Sequence, residues 1–397
     1  MSLSRRQFVS TAAAGVALRP PSLTSVTSQD TSTSMRFDPW LEIDTPALHH
    51  NVREVARLAG GRPILAVVKN NAYGLGIEQT CPFLNTLPEI AGFAVVKTDA
   101  ALQLRAAGID KPILHMGMFA RDAVLDLVNA GVQLSLYTDD AEERIRPVTN
   151  RNQVVSAHLY VDTGMSRMGI PYHRALRWFE SVATNPQLRI RGTFTAFTED
   201  PEFDREQLRR FTHLAQTARS RGVDLGQLHA ASSNAVFHIP EAHLDFVRPG
   251  IALYGAYPSD PEWERQRSTL RCAFRLRARI VRVEQLRPGD SVSYGRDYVA
   301  EQPTWIATLP VGHSDGYTRQ AVQGARVLIN DQTYPVIGAV SASHTIVEIG
   351  NERRVEIGDV ATLLGPDVPE IEPNNVAAAT GASVYDLLMH LNPTLPR

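Results

Sequence analysis

The sequence predicts a TIM (β/α)8 barrel followed by a mostly antiparallel β domain. From residue 40 to about 260, short apolar runs alternate with amphipathic stretches of helical length. About eight such runs over roughly 220 residues match the strand count of a TIM barrel. After about residue 265 the apolar segments become shorter, often alternate with polar residues and are separated by turn residues, which is typical of antiparallel strands. On pattern alone, a doubly wound open sheet is the alternative for the first part.

The predicted barrel strands are continuous apolar runs, as expected for parallel strands that are covered on both faces. They comprise residues 63–70, 92–96, 112–117, 132–137, 155–162, 189–197, 225–232 and 244–250. Between them, "ALHHNVREVARLAG" (47–60) and "DREQLRRFTHLAQTARSRG" (204–222) have the 3.6-residue period of surface helices. In the second part, "RLRARIVRVEQL" (275–286), "TWIATLP" (304–310) and "TIVEIG" (345–350) predict β strands.

Length and composition agree with two soluble domains. The 397 residues are 43% hydrophobic and 21% charged, and forty basic side chains nearly balance forty-two acidic ones. This balance argues against a broad surface for nucleic acid or lipid headgroups, and no apolar run reaches the roughly 18 residues of a membrane span. We expect a barrel domain over residues 36–268 and a β domain over residues 269–397.

Cysteine usage and motif spacing argue against a metal centre. The chain has only two cysteines, Cys81 and Cys272, which form neither a disulfide framework nor a ligand set. No HExxH or CxxC spacing occurs, so no metal is expected. We expect both cysteines in the core, although an exported chain could pair them.

Residues 1–35 predict a twin-arginine export signal and a linker. The stretch "SRRQFVS" (4–10) precedes the weakly apolar "TAAAGVAL" (11–18), and residues 22–35 are rich in Ser and Thr. We therefore expect export to the periplasm or the medium. An ordinary basic N-terminus, with the protein remaining cytoplasmic, is the alternative.

The stretch "ILAVVKNNAYGLG" (64–76) places Lys69 at the end of the first predicted barrel strand. Active sites of TIM barrels lie at this end of the strands. Burial lowers the pKa of a lysine, and a neutral amine can bond covalently to an aldehyde. The alternative is a lysine that reaches solvent or pairs with a carboxylate.

Several segments resemble the alanine racemase family, whose PLP-dependent members consist of a barrel and a β domain. "VVKNNAYGLG" (67–76) matches its signature, and the match extends over about residues 40–397. The other matching segments are "WLEIDTPALHHNVREV" (40–55), "VDTGMSRMGI" (161–170), "LHAASSNA" (228–235), "DFVRPGIALYGAYPS" (245–259), "SVSYGRDY" (291–298) and "LPVGHSDGYTR" (309–319). The resemblance implies a racemase of alanine, with other amino acids left open.

The resemblance also implies the residues of the site. Lys69 would hold PLP covalently and act as one base, and Tyr294 would be the second base, contributed across the interface of a head-to-tail homodimer. The PLP phosphate would be held by Tyr73, Ser233, the backbone amides of Gly250 and Ile251, and Tyr385, which lies in the less well matched "TGASVYDLL".

Two arginines complete the implied site. Arg248 would face the pyridine nitrogen. A permanently charged guanidinium there cannot accept a proton, so the nitrogen should stay unprotonated. Arg167 would support the phenolic oxygen of PLP and contact the substrate carboxylate, together with the backbone amide of Ala342.

Four positions depart from the family pattern. Tyr160 stands where many members have a carbamylated lysine, and Ala196 replaces a histidine, so we expect Arg248 to lose a partner. His313 replaces a tyrosine near the substrate entrance. Ser343 replaces an aspartate, which predicts a wider and less acidic pocket mouth. These departures leave one alternative open, a catalytically weakened PLP-binding paralogue. A second alternative is another barrel-type PLP enzyme, such as a lyase or decarboxylase, although the C-terminal cysteine-and-aspartate pattern of the barrel-type decarboxylases is missing.

Overall fold

The computed structural model describes residues 37–397. The predicted export signal and linker, residues 1–35, lie outside the described residues. Within residues 37–397, no helix combines the length and the apolar character needed to cross a membrane.

The barrel is built from parallel strands. The chain first forms a strand outside the barrel, β1 (Trp40–Ile43), and then the strands of the barrel. The strands of the barrel are β2 (Ile64–Val67), β3 (Ile90–Val95), β4 (Ile113–His115), β5 (Val132–Leu136), β6 (Val155–Asp162), β8 (Leu188–Phe194) and β9 (Gln227–His229). A short strand, β7 (Ile170–Pro171), pairs with β6 alone among the described strands. The order of hydrogen-bonded neighbours is β2-β3-β4-β5-β6-β8-β9, and all of these pairs are parallel. The prediction of a TIM barrel is confirmed.

The eighth position of the barrel is closed by residues 246–249 rather than by a regular strand. Leu65 N donates to Val247 O at 2.8 Å, and Val67 N donates to Pro249 O at 2.9 Å. Pro249 has no N–H to donate, so the ladder is interrupted at that residue. The closure nevertheless brings residues 248–250 next to the end of β2, where Lys69 follows.

Helices cover the outside of the barrel, and the longer ones begin at capping residues. Asp44 accepts a hydrogen bond from Ala47 N at 2.9 Å, and Asp200 accepts one from Phe203 N at 2.9 Å. The helices up to the end of the barrel are Thr45–Leu58, Ile77–Asn85, Thr98–Ala106, Val124–Asn129, Ala141–Thr149, Tyr172–Val182, Pro201–Ser220, Ser233–His238 and Pro261–Arg265.

The second domain is an antiparallel sheet. Its strands are β10 (Phe274–Arg279), β11 (Arg282–Leu286), β14 (Thr304–Leu309), β15 (Arg326–Ile329), β16 (Gln332–Ile337), β17 (Thr345–Gly350) and β18 (Val360–Leu364), and a separate pair is formed by β12 (Ser291–Val292) and β13 (Tyr298–Val299). The sheet order is β1-β10-β18-β15-β16-β17-β14-β11, so β1 belongs to this sheet and not to the barrel. The first described strand is therefore part of the second domain, and the chain enters the barrel after it.

The C-terminal segment returns to the barrel. Helices Pro373–Thr380 and Val384–Met389 follow the sheet, and the second of them carries Tyr385. Leu41 N donates to Pro396 O at 2.8 Å, and Arg397 Nη2 donates to Gly74 O at 2.7 Å. These contacts join the end of the chain to the segment that follows Lys69. The thiols of Cys81 and Cys272 are both free and buried.

Candidate active site

The mouth of the barrel contains a pocket of about 610 Å³. It lies at the carboxyl ends of the strands, where TIM-barrel enzymes carry their active sites. The pocket brings together predicted residues from widely separated parts of the chain. These are Lys69, Tyr73, Arg167, Ser233, Arg248, Gly250 and Tyr385.

Lys69 reaches the pocket because the chain after it turns in an unusual direction. Residues 70–73 all have positive φ, between 51° and 56°, and so form one turn of left-handed helix. Ala72 N donates to Val68 O at 3.0 Å, and Asn71 Oδ1 accepts from Ile77 N at 3.0 Å. Each left-handed residue other than glycine costs about 1–2 kcal/mol, so the surrounding fold must hold this turn.

The surroundings of Lys69 favour the neutral amine. The side chain is half-buried, and its Nζ lies 5.8 Å from the centre of the Tyr73 ring. Burial, followed by the positive charge of Arg167, lowers the pKa of Lys69, whereas the Glu199 carboxylate opposes this shift. A larger neutral fraction makes Lys69 a better nucleophile and base near neutral pH.

A cluster of hydroxyls and backbone amides lies on one side of the pocket. Ser233 Oγ accepts hydrogen bonds from Gly250 N at 2.9 Å and Ala252 N at 3.3 Å, which leaves its own hydrogen to donate. The side chains of Tyr73 and Tyr385 line the same pocket. A Cβ at position 250 would lie 2.1 Å from Tyr73 Oη, so only glycine allows this approach.

The pocket residues fit PLP. The hydroxyl and amide cluster offers the donors that a phosphate needs. The lining includes four basic side chains and one acidic side chain, which suits a ligand that carries a phosphate and a substrate carboxylate. The basic residues are Lys69, Lys97, Arg167 and Arg248. Among the described residues, no three His, Cys, Asp or Glu side chains form a group that could hold a metal ion.

Arg167 lies on the loop that follows β6. Asp162 Oδ1 accepts hydrogen bonds from Gly164 N at 2.9 Å and Ser166 N at 3.0 Å, which shapes the loop encoded by "VDTGMSRMGI". Ser166 takes a φ of 56° within it. Arg167 is solvent-exposed and lines the pocket, so its guanidinium is available to an incoming carboxylate.

Arg248 is buried and held by three hydrogen bonds. Its Nη1 donates to His229 Nδ1 at 2.8 Å, and its Nη2 donates to Thr195 O at 2.7 Å and to Ala230 O at 3.2 Å. The expectation that Ala196 deprives Arg248 of a partner is therefore wrong, because the partner is His229 on β9. Burial lowers the pKa of Arg248 to about 10, which still leaves it charged at neutral pH.

The hydrogen bonds continue from His229 across the barrel. His229 Nε2 lies 2.8 Å from His158 Nδ1, and His158 Nε2 lies 2.8 Å from Gln133 Oε1. The imidazoles meet across β8 because Gly192 has no side chain there, since a Cβ at that position would lie 2.7 Å from His158 Nδ1.

The direction of this chain of hydrogen bonds follows from Arg248. Arginine can only donate, so Nδ1 of His229 accepts and its Nε2 carries the proton, and the same reasoning applies to His158. Burial and the Arg248 charge lower the pKa of His158 to about 3 and that of His229 well below its usual value. Both imidazoles are therefore neutral, and each has one defined tautomer.

Tyr160, which replaces the carbamylated lysine of many family members, packs as an aromatic residue. Its ring stacks on Phe194 at 4.2 Å between centres and meets the edge of Tyr137 at 5.8 Å. It is buried and lines the pocket near Arg248. An uncharged stacked ring thus occupies the position that the carbamate takes in those relatives.

Three predicted site residues do not line the pocket of their own chain: the buried Ile251, which follows Gly250, and two residues of the β domain, Tyr294 and Ala342. Tyr294 is 75% exposed, in a short 3₁₀ segment between β12 and β13, and Ala342 is exposed after β16. Ala342 O accepts hydrogen bonds from Ser314 N at 2.9 Å and Ser314 Oγ at 2.8 Å. Next to Ser314, His313 Nε2 accepts from Arg319 Nη2 at 2.7 Å. These residues belong to surface loops of the β domain.

Several residues of the site carry no clear signal in the sequence. His229 and His158 lie on barrel strands, where an isolated histidine carries no signal for a role. Glu199 and Lys97 line the pocket on segments that follow β8 and β3. Their position after predicted strands was the available signal, since side chains at those points converge at the barrel mouth.

Comparison with known proteins agrees with this architecture. The model of the alanine racemase N-terminal domain matches residues 43–258, and that of the C-terminal domain matches residues 273–397. The chain belongs to the alanine racemase family.

Relatives of the family match nearly the whole chain. An alanine racemase of Desulforamulus reducens is 33% identical over 90% of this chain and 98% of its own length, and one of Carboxydothermus hydrogenoformans is 34% identical over the same shares. Among solved structures, alanine racemases of Streptomyces lavendulae and Streptomyces coelicolor superpose with TM-scores of 0.85 and 0.84 at 28% and 29% identity, each over 91% of this chain and 97% of the other. The family is PLP-dependent, and the protein is a racemase, an enzyme of the isomerase class.

Proposed function

We propose that the protein interconverts L- and D-alanine with PLP bound in the barrel pocket, and that each site uses one base from each of two chains. The observation that carries this proposal is the pocket itself, in which a half-buried Lys69 with a lowered pKa lies beside a hydroxyl and amide cluster suited to a phosphate. Bound PLP withdraws electrons from the substrate α-carbon and so acidifies the α-proton.

Several residues would hold the cofactor. Lys69 would bond to its aldehyde, and the cluster of Tyr73, Ser233 and the amides of Gly250 and Ile251 would bind its phosphate, together with Tyr385. Arg248 would donate an N–H to the ring nitrogen. Because the guanidinium stays charged at neutral pH, it neither takes a proton from that nitrogen nor delivers one to it.

The two bases would act on opposite faces of the α-carbon. Lys69 would remove or return the proton on one face, and its lowered pKa suits that task near neutral pH. Tyr294 of a second copy would exchange the proton on the other face. The exposure of Tyr294 on the β domain supports this assignment, because a residue that completes a partner's site must lie on the surface of its own chain. Arg167 would orient the substrate carboxylate, with the Ala342 amide contributed by the second copy.

The first experiment tests the reaction. Purified protein loaded with PLP is incubated with L-alanine in D2O, and the products are separated by chirality. We expect deuterium at the α-carbon of D-alanine. A weakened PLP-binding paralogue would show neither inversion nor exchange, and a lyase or decarboxylase would give products other than alanine.

The second experiment tests whether two chains form each site. Lys69→Ala and Tyr294→Phe homodimers should each be nearly inactive, whereas their mixed dimers contain one site with both bases intact. After unfolding and refolding as an equal mixture, half of the dimers are mixed, so about a quarter of wild-type activity should return. If no activity returns in a mixture that contains mixed dimers by mass spectrometry, the two-chain site is refuted.

We further propose that the protein is exported, a proposal that rests on the twin arginine at Arg5 and Arg6 alone. Fractionation of cells that express the full chain, compared with an Arg5→Lys, Arg6→Lys variant, tests this. Loss of export in the variant would support the proposal, and cytoplasmic retention of both proteins would contradict it.

A further inference from the structure

Among the described residues, Glu199 is the one that contributes a side-chain carboxylate to the pocket lining. The residue follows β8, two positions beyond the buried Phe197, and lines the pocket with Lys69 and Arg167. The sequence analysis expected a less acidic pocket mouth because Ser343 replaces an aspartate. Glu199 instead supplies a negative charge from the barrel side.

The backbone of Glu199 is held in a strained conformation. Its φ is +68°, in the left-handed region that favours glycine. The buried Asp204 accepts hydrogen bonds from Glu199 N at 3.2 Å, Thr198 N at 2.9 Å and Thr198 Oγ1 at 2.9 Å, and Gln207 Oε1 also accepts from Thr198 N at 3.0 Å. A residue that is strained and fixed by its surroundings in this way is typical of functional sites.

The Glu199 carboxylate has no protein partner of its own. Among residues 37–397, it forms no ion pair within 4.0 Å and accepts no hydrogen bond. Partial burial, followed by the charge of Asp204, raises the pKa of Glu199, whereas the charges of Lys69 and Arg167 lower it. The carboxylate is therefore near these cations without being bound by them.

Alanine offers nothing that this carboxylate could bind. The amino group of the substrate is used in its covalent link to the cofactor, and the side chain is an apolar methyl group. The substrate carboxylate and the cofactor phosphate are both anions, which a neighbouring carboxylate repels. A cationic substrate side chain would be attracted to it, and a pocket of about 610 Å³ leaves room for a side chain longer than a methyl group.

We propose that Glu199 is a specificity residue that binds the terminal cation of a basic amino acid such as lysine, so that the protein racemises basic amino acids as well as alanine. This inference rests on the proposed function, since it assigns a second substrate class to the same site. The reaction at the α-carbon is unchanged: one proton leaves, one proton arrives on the other face, and no further reactant is needed.

The test compares substrates that differ only in charge. L-Norleucine has the same chain length as L-lysine but no side-chain ammonium, so the lysine-to-norleucine ratio of kcat/KM isolates the effect of that charge. We expect the PLP-loaded wild-type protein to favour lysine at least 10-fold. Glu199→Gln should lower the ratio about 10- to 100-fold, as expected for a hydrogen bond to a charged group. Glu199→Asp should retain part of the preference.

A matched control is Glu202→Gln, because Glu202 is exposed at the start of the next helix and does not line the pocket. Its ratio should equal that of the wild type. A second readout does not depend on turnover: calorimetry of the PLP-loaded protein with α-methyl-lysine and α-methyl-norleucine, which lack an α-proton. We expect tighter binding of α-methyl-lysine, and loss of this difference in Glu199→Gln.

Three results would overturn the inference. The first is a lysine-to-norleucine ratio of kcat/KM near one in the wild type. The second is a Glu199→Gln variant that loses activity equally on alanine, norleucine and lysine, because Glu199 would then support Lys69 or Arg167 instead. Both results leave the proposed function intact. Failure of the wild-type protein to racemise alanine would refute the proposed function, and this inference with it.

Discussion

Replacement of His158 tests the chain of hydrogen bonds that begins at Arg248. In His158→Leu, the Nε2–H of His229 loses its acceptor and Gln133 Oε1 loses its donor. An unsatisfied buried polar group costs about 1–3 kcal/mol, so we expect the free energy of unfolding at pH 7 to fall by about 3 kcal/mol. The loss at pH 7 alone does not distinguish this network from ordinary packing, but its pH dependence does.

The pKa of His158 is about 3 in the folded protein, against about 6.5 in an unfolded chain. Between these values the unfolded state binds more protons, so this residue's contribution to stability is complete above pH 6.5 and is lost as the pH falls toward 3. At about 1.4 kcal/mol per pH unit, the wild type loses about 2 kcal/mol through His158 between pH 6.5 and pH 5. His158→Leu has no imidazole at this position and does not undergo this loss. Its free energy of unfolding should therefore be only about 1 kcal/mol below that of the wild type at pH 5.

Urea unfolding at pH 7 and pH 5, at one protein concentration, measures this difference. His158→Gln can still accept and donate but does not titrate, so it should be close to the wild type at pH 7 and more stable at pH 5. His213→Leu, on an exposed position of helix Pro201–Ser220, should show the same difference from the wild type at both pH values. If the free energy of unfolding of His158→Leu lies below that of the wild type by the same amount at pH 7 and pH 5, the assignment of a neutral, hydrogen-bonded imidazole is refuted.

Two further predictions concern the pocket. Gly250→Ala should weaken PLP binding about 10-fold or more, because its Cβ would lie 2.1 Å from Tyr73 Oη and overpacking costs about 1–3 kcal/mol. Titration of the variant with PLP, followed by absorbance, measures this affinity. A result equal to the wild-type affinity would contradict the close contact. Asp204→Ala should lower the free energy of unfolding by about 2 kcal/mol, because Thr198 Oγ1 and Glu199 N lose their acceptor, whereas Thr198 N keeps Gln207 Oε1. The variant should also lower the lysine-to-norleucine ratio of kcat/KM. A variant that loses stability with an unchanged ratio would show that the orientation of Glu199 does not depend on Asp204.

The departures from the family pattern have different consequences in the structure. Ala196 does not weaken the hold on Arg248, because His229 and two backbone carbonyls bind the guanidinium. Tyr160 removes a negative charge from the neighbourhood of the site and substitutes a stacked ring. Glu199 supplies a carboxylate from another segment. The changes at Ala196 and Tyr160 concern the support of the site, whereas the Glu199 carboxylate lies where we propose that it meets a substrate side chain.

Much of the fold was predictable from the sequence. Continuous apolar runs predicted the barrel strands because parallel strands are buried on both faces, and the end of the run at Val68 located Lys69 at the barrel mouth. The domain boundaries given above stay predictions. The sequence pattern of β1 does not predict which sheet the strand joins, because a short apolar strand can pair with either sheet. Its pairing with β10 is determined by the packing of the two domains.

The sequence by itself predicted the residues that we propose to carry the chemistry: a lysine at a strand end, glycine and hydroxyl residues for a phosphate, and two arginines in specific motifs. Only the tertiary structure decided which residues support them. The pairing of His229 with Arg248, the meeting of two imidazoles over Gly192 and the orientation of Glu199 by Asp204 all depend on distances between strands and helices that sequence spacing does not encode. The separation of Tyr294 from the pocket of its own chain has the same origin, because domain packing fixes which loops face solvent.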